Sequence, residues 1–264
     1  MSSQQRIELA RQGAVAIVTL TRPEARNAID DAMRTQLAAA LEEVSADDSL
    51  HALVLTAQGT AFCAGGDVAA MRQRLEAPAT EVAINGWRRQ RRTHHLLTML
   101  HELDKPVIAA VNGAAVGLGC DLALCCDFVI AADAATFAMS YVQRGLIPDG
   151  GGLYWLPRRV GLARAKELIF TGRTVAAEEA LRLGLADRLA PAADLLASAT
   201  AWAGDLASQP PAALALSKSI LDRSFELSAE AVFALGAQAQ AISYSTADHR
   251  ASVEAFLARG RRSG

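Results

Sequence analysis

Two segments of this chain share one construction: a short apolar run feeds a glycine-rich turn, and the turn opens a helical pattern. The first is Ala61-Phe62-Cys63-Ala64-Gly65-Gly66-Asp67-Val68, which follows the apolar run His51–Thr56. The second is Val111-Asn112-Gly113-Ala114-Ala115-Val116-Gly117-Leu118-Gly119-Cys120-Asp121, which follows Val107–Val111. Brief apolar runs with helical patterns between them read as buried strands joined by crossover helices, the arrangement of a largely parallel sheet. A helix N-terminus presents unpaired N–H groups and a partial positive charge, and glycine lets backbone come close to a ligand. Two such turns facing each other can hold one developing oxyanion from both sides. The plainer alternative is that these glycines serve turns and close packing only. The glycine spacing is not GxGxxG, and the chain contains neither GxSxG nor GxxxxGK[ST]. Those absences weigh against a dinucleotide fold, an α/β-hydrolase and a P-loop enzyme.

The rest of the chain extends the same pattern. Ile7–Arg11 and Ala14–Leu20, split by Gln12-Gly13, predict a hairpin. Asp30 and Asp31 offer an N-cap for a helix to about Val44, with Met33, Leu37, Leu41 and Val44 on its apolar face. Phe128–Ala131 is a further strand, and β and α alternate to about residue 140. From Gly150 onward strands nearly vanish. Ala163–Phe170, Ala177–Leu183, Ala192–Leu206, Pro211–Ser224, Ala229–Ile242 and Ala247–Arg259 all read as helices. Residues 1–200 are therefore taken as the α/β core and 201–264 as a helical C-terminal region. Arg72–Arg92 resists assignment, because it holds Pro78, Gly86 and the cluster Arg88, Arg89, Arg91 and Arg92 beside Trp87. It reads as a solvated helix face or as a loop-helix near a ligand phosphate.

Composition closes off other classes. With 26 basic against 28 acidic residues the net charge is −2, so no overall field favours nucleic acid or an anionic membrane. The N-terminus lacks a signal or transit pattern, and Asn112, Asp121 and Asp127 interrupt the apolar stretch Val107–Ala132, which reads as core and not as a membrane span. Cys63, Cys120, Cys125 and Cys126 form no CxxC and have no histidine at zinc-ligand spacing. Buried thiols, no metal and a cytoplasmic setting are expected.

Several blocks together carry a resemblance. Leu20-Thr-Arg-Pro-Glu-Ala-Arg-Asn27-Ala28, Ala61-Phe-Cys-Ala-Gly-Gly-Asp67, Asn112 through Leu122 with Cys126-Asp127, and Gly145-Leu-Ile-Pro-Asp-Gly-Gly-Gly152 fall in one register. So do Leu156-Pro157-Arg158, Thr171-Gly172 and Gly184-Leu185. The chain resembles the crotonase (enoyl-CoA hydratase/isomerase) superfamily over nearly its whole length. The resemblance implies the α/β crotonase (ClpP/crotonase-like) fold, with a repeated ββα core and a helical C-terminal region that builds a homotrimer or dimer of trimers. It implies an acyl-CoA substrate, with no cofactor beyond the coenzyme A moiety of that substrate. Gly66 and Leu118 would supply the oxyanion-binding N–H groups. Coenzyme A contacts would come from Arg26 and Ala28, from Ala64, Gly65, Gly66, Asp67 and Val68, and from Lys218 and Phe256.

Relatives with hydratase activity use two glutamates. Here the first position holds Asp121 and the second Tyr141, a poor general base at neutral pH. Asp149, in the block that resembles ring-1,2-epoxyphenylacetyl-CoA isomerases, offers a single carboxylate able to move a proton along an acyl chain. Tyr141 and Gly145 would border the substrate pocket. Asp149 also suits an N-cap, Asp121 suits either catalysis or structure, and Asp127 suits a structural role. The leading reading is an isomerase with Asp149 as acid/base. The competing readings are an enoyl-CoA hydratase that uses Asp121, a dienoyl-CoA isomerase, and a crotonase-fold protein that binds coenzyme A or RNA without turnover.

Overall fold

The computed structural model describes residues 5–67, 72 and 76–260. The expected hairpin is formed by β1 (Ile7–Gln12) and β2 (Val15–Leu20), antiparallel with Ile7 opposite Leu20. A 3-10 turn at Pro23–Ala25 leads to α1 (Asp31–Ala46), where the Asp30 side chain accepts from the Met33 N–H at 2.8 Å, an N-cap of the predicted kind. Met33, Leu37, Leu41 and Val44 form its buried face.

The chain continues through β3 (Ala52–Ala57), β4 (Ala61–Cys63), α2 (Ala79–His101), β5 (Val107–Val111), β6 (Ala114–Val116), α3 (Leu118–Leu124), β7 (Phe128–Ala132) and β8 (Thr136–Ala138). Beyond a 3-10 turn at Ser140–Arg144 come α4 (Gly152–Val160), α5 (Leu162–Thr171), β9 (Thr174–Ala176), α6 (Ala177–Leu183), β10 (Arg188–Ala190) and α7 (Leu195–Ala207). The tail is α8 (Pro211–Leu221), α9 (Ala229–Tyr244) and α10 (Ala247–Gly260).

The strands form two sheets, ordered β1-β2-β3-β5-β7-β10 and β4-β6-β8-β9. The larger is parallel from β2 onward, and β4, β6 and β8 run parallel in the smaller. The pairs β3–β4, β5–β6 and β7–β8 each put their first strand in the large sheet and their second in the small one. That step is what aligns successive glycine turns side by side. The sequence reading foresaw the large-sheet strands up to β7 but not the small sheet, whose strands are three residues long.

α7 packs across β2, β3, β5 and β7 and buries Trp202, Ala203 and Ala207. The division expected at residue 200 falls inside this helix, and among the described residues beyond Ala207 none is fully buried. α8 is nonetheless fastened. Lys218 donates to the Asp127 carboxylate at 2.8 Å and to the Lys105 carbonyl at 3.2 Å, and Asp127 also accepts from the Val107 N–H at 2.7 Å. Asp127 therefore has the structural role expected of it. Among the described residues no helix is long and apolar enough to cross a membrane.

Candidate active site

The two glycine turns meet because β4 and β6 are neighbours, with Ala61 opposite Ala114 and Cys63 opposite Ala115. Gly65, at φ +94°, has no room for a side chain: a Cβ there would lie 2.8 Å from the Val116 carbonyl oxygen and 3.5 Å from the Leu118 nitrogen. Substituting it would strain the backbone and separate the turns.

Ile29 bridges to this turn in parallel fashion, donating to the Gly65 carbonyl at 2.8 Å and accepting from the Asp67 N–H at 3.2 Å. The intervening Gly66 N–H points away from that bridge and, among the described residues, donates to no protein acceptor. Leu118 opens α3, so its N–H has no partner within the helix. The resemblance's two donors thus sit on adjoining turns, and among the described residues neither N–H donates to a protein acceptor.

The segment 22–28 locks against the first turn through buried polar bonds. Asn27 is fully buried at φ +55°; it accepts from the Arg22 N–H at 2.9 Å and donates to the carbonyls of Gln58 at 2.9 Å and Ala61 at 2.8 Å. Arg22 reaches the Asp67 carboxylate at 2.6 Å and the Ala28 carbonyl at 2.9 Å. The Arg26 carbonyl accepts from the Ala64 N–H at 2.9 Å. Arg26, Ala28, Ala64, Gly65, Gly66 and Asp67 are therefore brought together, while Val68 lies outside the described residues. Asp67 is tied to Arg22, and the side chain of Arg26 is exposed.

Asp121 lies behind the second turn, fully buried, and the Tyr141 hydroxyl donates to its Oδ2 at 2.5 Å. The Tyr141 ring rests 3.7 Å from where a Gly117 side chain would begin, which puts the phenol beside the Leu118 turn. The backbone of Gly150 and Gly152 covers the carboxylate so closely that a side-chain carbon at Gly150 would overlap it. Its Oδ1 makes no hydrogen bond of ordinary geometry, although the Gly150 and Gly152 amides are near enough to favour the ionised form. Burial wins over the Tyr141 hydrogen bond and those amides, and pushes the Asp121 carboxyl up to about 7. Burial and the adjacent Asp121 charge hold the Tyr141 phenol protonated, far above its ordinary range.

Asp149 is half-buried. Burial raises its carboxyl, while its own backbone N–H, the charges of His94 and Arg89, and the Gln90 amide pull it back. Gln90 Nε2 donates to Asp149 Oδ2, and His94 Nε2 donates to the Asp149 carbonyl at 2.7 Å. Asp149 is not the N-cap of α4: Gly151 holds that position and no side chain caps the helix. It borders a cavity of about 390 Å³ whose apolar lining includes Leu97, Pro148, Leu153 and Trp155.

Three expected residues stand apart from this cluster. Lys218 is held by Asp127 and Lys105 with its side chain only 12% exposed, so its ammonium serves the fold of this chain. Phe256 is exposed on α10. Gly145 terminates the 3-10 turn that carries Tyr141. Sequence reasoning missed Arg22, Gln90 and His94. Arg22 and Asn27 belong to the quoted N-terminal block, which was a usable signal. Gln90 and His94 carried none, because only the packing of α2 against the 148–151 loop brings them to Asp149.

Comparison with known proteins places this geometry. The family model described as "Enoyl-CoA hydratase/isomerase" matches residues 10–263. A probable enoyl-CoA hydratase of Rhodobacter capsulatus is 40% identical over 92% of this chain and 91% of its own length. The 1,2-epoxyphenylacetyl-CoA isomerase of Escherichia coli is 38% identical over 93% of this chain and 92% of its own. Among solved structures, an enoyl-CoA hydratase/isomerase from Cupriavidus metallidurans superposes with a TM-score of 0.90 at 36% identity, covering 98% of this chain and 96% of that one.

Proposed function

Since this chain belongs to the enoyl-CoA hydratase/isomerase family, we propose that it isomerises a double bond in an acyl-CoA thioester, with Asp149 as the acid/base. The thioester oxygen lies between the Gly66 and Leu118 N–H groups. Asp149 takes a proton from one carbon of the acyl chain, the electron pair moves into the enolate, and negative charge collects on that oxygen. Protonated Asp149 then returns the proton two carbons away, which shifts the double bond without net addition of water. Oxyanion donors hold the enolate while the carboxyl changes carbon.

The observation that carries this reading is the unequal state of the two carboxyl groups. Tyr141 stands where the second hydratase glutamate would be, and it donates into Asp121, which is fully buried. Asp149 is half-buried at a largely apolar cavity, and burial raises its carboxyl above the ordinary carboxylate range, the direction that strengthens a base. The same cavity suits an acyl chain. Hydration with Asp121 as base is the second reading, favoured by that carboxyl's position at about 7. A protein retired from catalysis would have no need of either carboxylate.

A panel of trans-2-enoyl, cis- and trans-3-enoyl and ring-derived CoA thioesters, followed by absorbance and product mass, separates the readings. Isomers of unchanged mass are expected; a gain of one water on 2-enoyl substrates, retained in Asp149→Asn and lost in Asp121→Asn, would overturn the proposal. Asp149→Asn should lower isomerisation by about 10²-fold or more with coenzyme A affinity little changed. The reading extends to assembly, because Phe225, Phe233 and Phe256 are each more than three-quarters exposed on the C-terminal helical arm. A trimer or dimer of trimers would cover them, and light scattering at micromolar concentration checks it.

A further inference from the structure

We infer that Gln90 is a positioning residue for the Asp149 base, holding its carboxylate in one orientation from α2, an element that contributes nothing to the oxyanion turns. This inference rests on the isomerase reading, since it assigns Asp149 the proton transfer.

Gln90 Nε2 donates to Asp149 Oδ2, and Asp149 borders the cavity. One helical turn further along α2, His94 Nε2 donates to the Asp149 main-chain carbonyl at 2.7 Å, so the residue is gripped at both its side chain and its backbone. The spacing of four places both grips on one face of the helix. The Asp149 N–H is occupied by the Ile147 carbonyl at 2.7 Å, which completes a fixed loop geometry. The Gln90 bond restrains Oδ2 and with it the rotation of the carboxylate. A neutral amide suits this position. It orients a carboxylate without neutralising it, whereas an ion-pairing arginine would stabilise the charge much more strongly and weaken the base.

The groups facing Asp149 come from several elements. Arg89 and His94 of α2 favour its ionised form, as does Gln90. Arg89 is itself near Asp31 and Arg34 of α1 and Arg92 of α2. Asp121 of α3 and Tyr141 of the 3-10 turn lie on the other side, each in electrostatic contact with Asp149. Loss of the Gln90 amide removes an interaction made to the ionised carboxylate, so burial then dominates further and the carboxyl rises. The base works ionised. The acid limb of the rate profile must therefore move to higher pH.

The test is the pH profile of kcat/KM for isomerisation in the full chain, for Gln90→Leu and Gln90→Glu. Gln90→Leu should raise the acid limb by about one pH unit, what one charge-assisted hydrogen bond supplies. Gln90→Glu should raise it further, because a like charge replaces the amide. KM should change much less than kcat. In the Asp149→Asn background, Gln90→Leu should add little, since the group it positions has lost its basicity. An acid limb that stays in place in both Gln90 variants, with coenzyme A affinity and melting temperature like those of the parent, overturns the inference and leaves the isomerase reading standing. Full activity in Asp149→Asn overturns the isomerase reading itself, and the inference falls with it.

Discussion

The two walls of this site are made of different material. The proposed oxyanion wall is backbone: two adjoining turns at the ends of β4 and β6, fixed by strand register and by the buried bonds of Asn27. The proposed acid/base wall is side chains: Asp149, Asp121 and Tyr141, steered by α2 and by the 140–152 segment. A backbone wall tolerates changes of side chain as long as the turn survives, which is why Leu118 can open α3. A side-chain wall changes its chemistry with one substitution.

The largest test of that contrast is Gly66→Pro, which deletes an N–H without removing any side-chain function. Turnover should fall by roughly 10²–10³-fold, read as kcat in protein whose circular dichroism matches the parent. A loss below tenfold would mean that the wall is not the backbone of Gly66. A second test acts on stability. Because the Asp121 carboxyl is raised from its ordinary 3.8 to about 7 in the folded chain, folding carries no ionisation penalty below pH 4, and the penalty grows as pH climbs toward 7. The isosteric Asp121→Asn has no such titration. Relative to the parent it should gain stability between pH 4 and 7, by up to roughly 4 kcal/mol, in urea unfolding at several pH values. A pH-independent difference would show that Asp121 is not perturbed by burial. The smallest effect is expected for Leu118→Ala, which keeps the N–H. Its kcat should stay within about tenfold, the residual loss reflecting packing against Gly150.

The sequence disclosed the parts of the molecule whose period is long enough to count. Val107–Val111 and Ala177–Leu183 were located to the residue, and of the Asp30–Asp31 pair offered as N-cap the structure uses Asp30. The small sheet was invisible because strands such as Ala61–Cys63 and Thr136–Ala138 are too short for an alternating pattern. In the 72–92 stretch, Pro78 proves to be the N-cap of α2 and Gly86 lies inside the helix. Both residues are helix breakers in isolation, which is why pattern alone could not assign the segment. Of the arginine cluster, Arg88, Arg91 and Arg92 are exposed, the solvated face that was one of the two readings, while Arg89 is partly buried within reach of Asp149. Asp121 and Asp149 were legible as chemistry. Their partners were not, since Gln90 is 59 residues from Asp149 along the chain and no local pattern encodes such a meeting.

The fastening of α8 has a consequence for anyone exchanging parts among relatives. Lys218 supplies the positive charge beside Asp127, whose carboxylate also holds the first N–H of β5, the strand that runs into the second glycine turn. A chain cut before this helix, or a chimaera whose borrowed arm brings an uncharged residue to position 218, keeps the carboxylate but loses its counter-ion. An unpaired, largely buried charge then sits at the root of the strand, and the cost of desolvating it falls on the half of the molecule that carries the candidate site. The C-terminal arm is thus electrically part of the core, and a workable transplant moves the lysine and the aspartate as one unit.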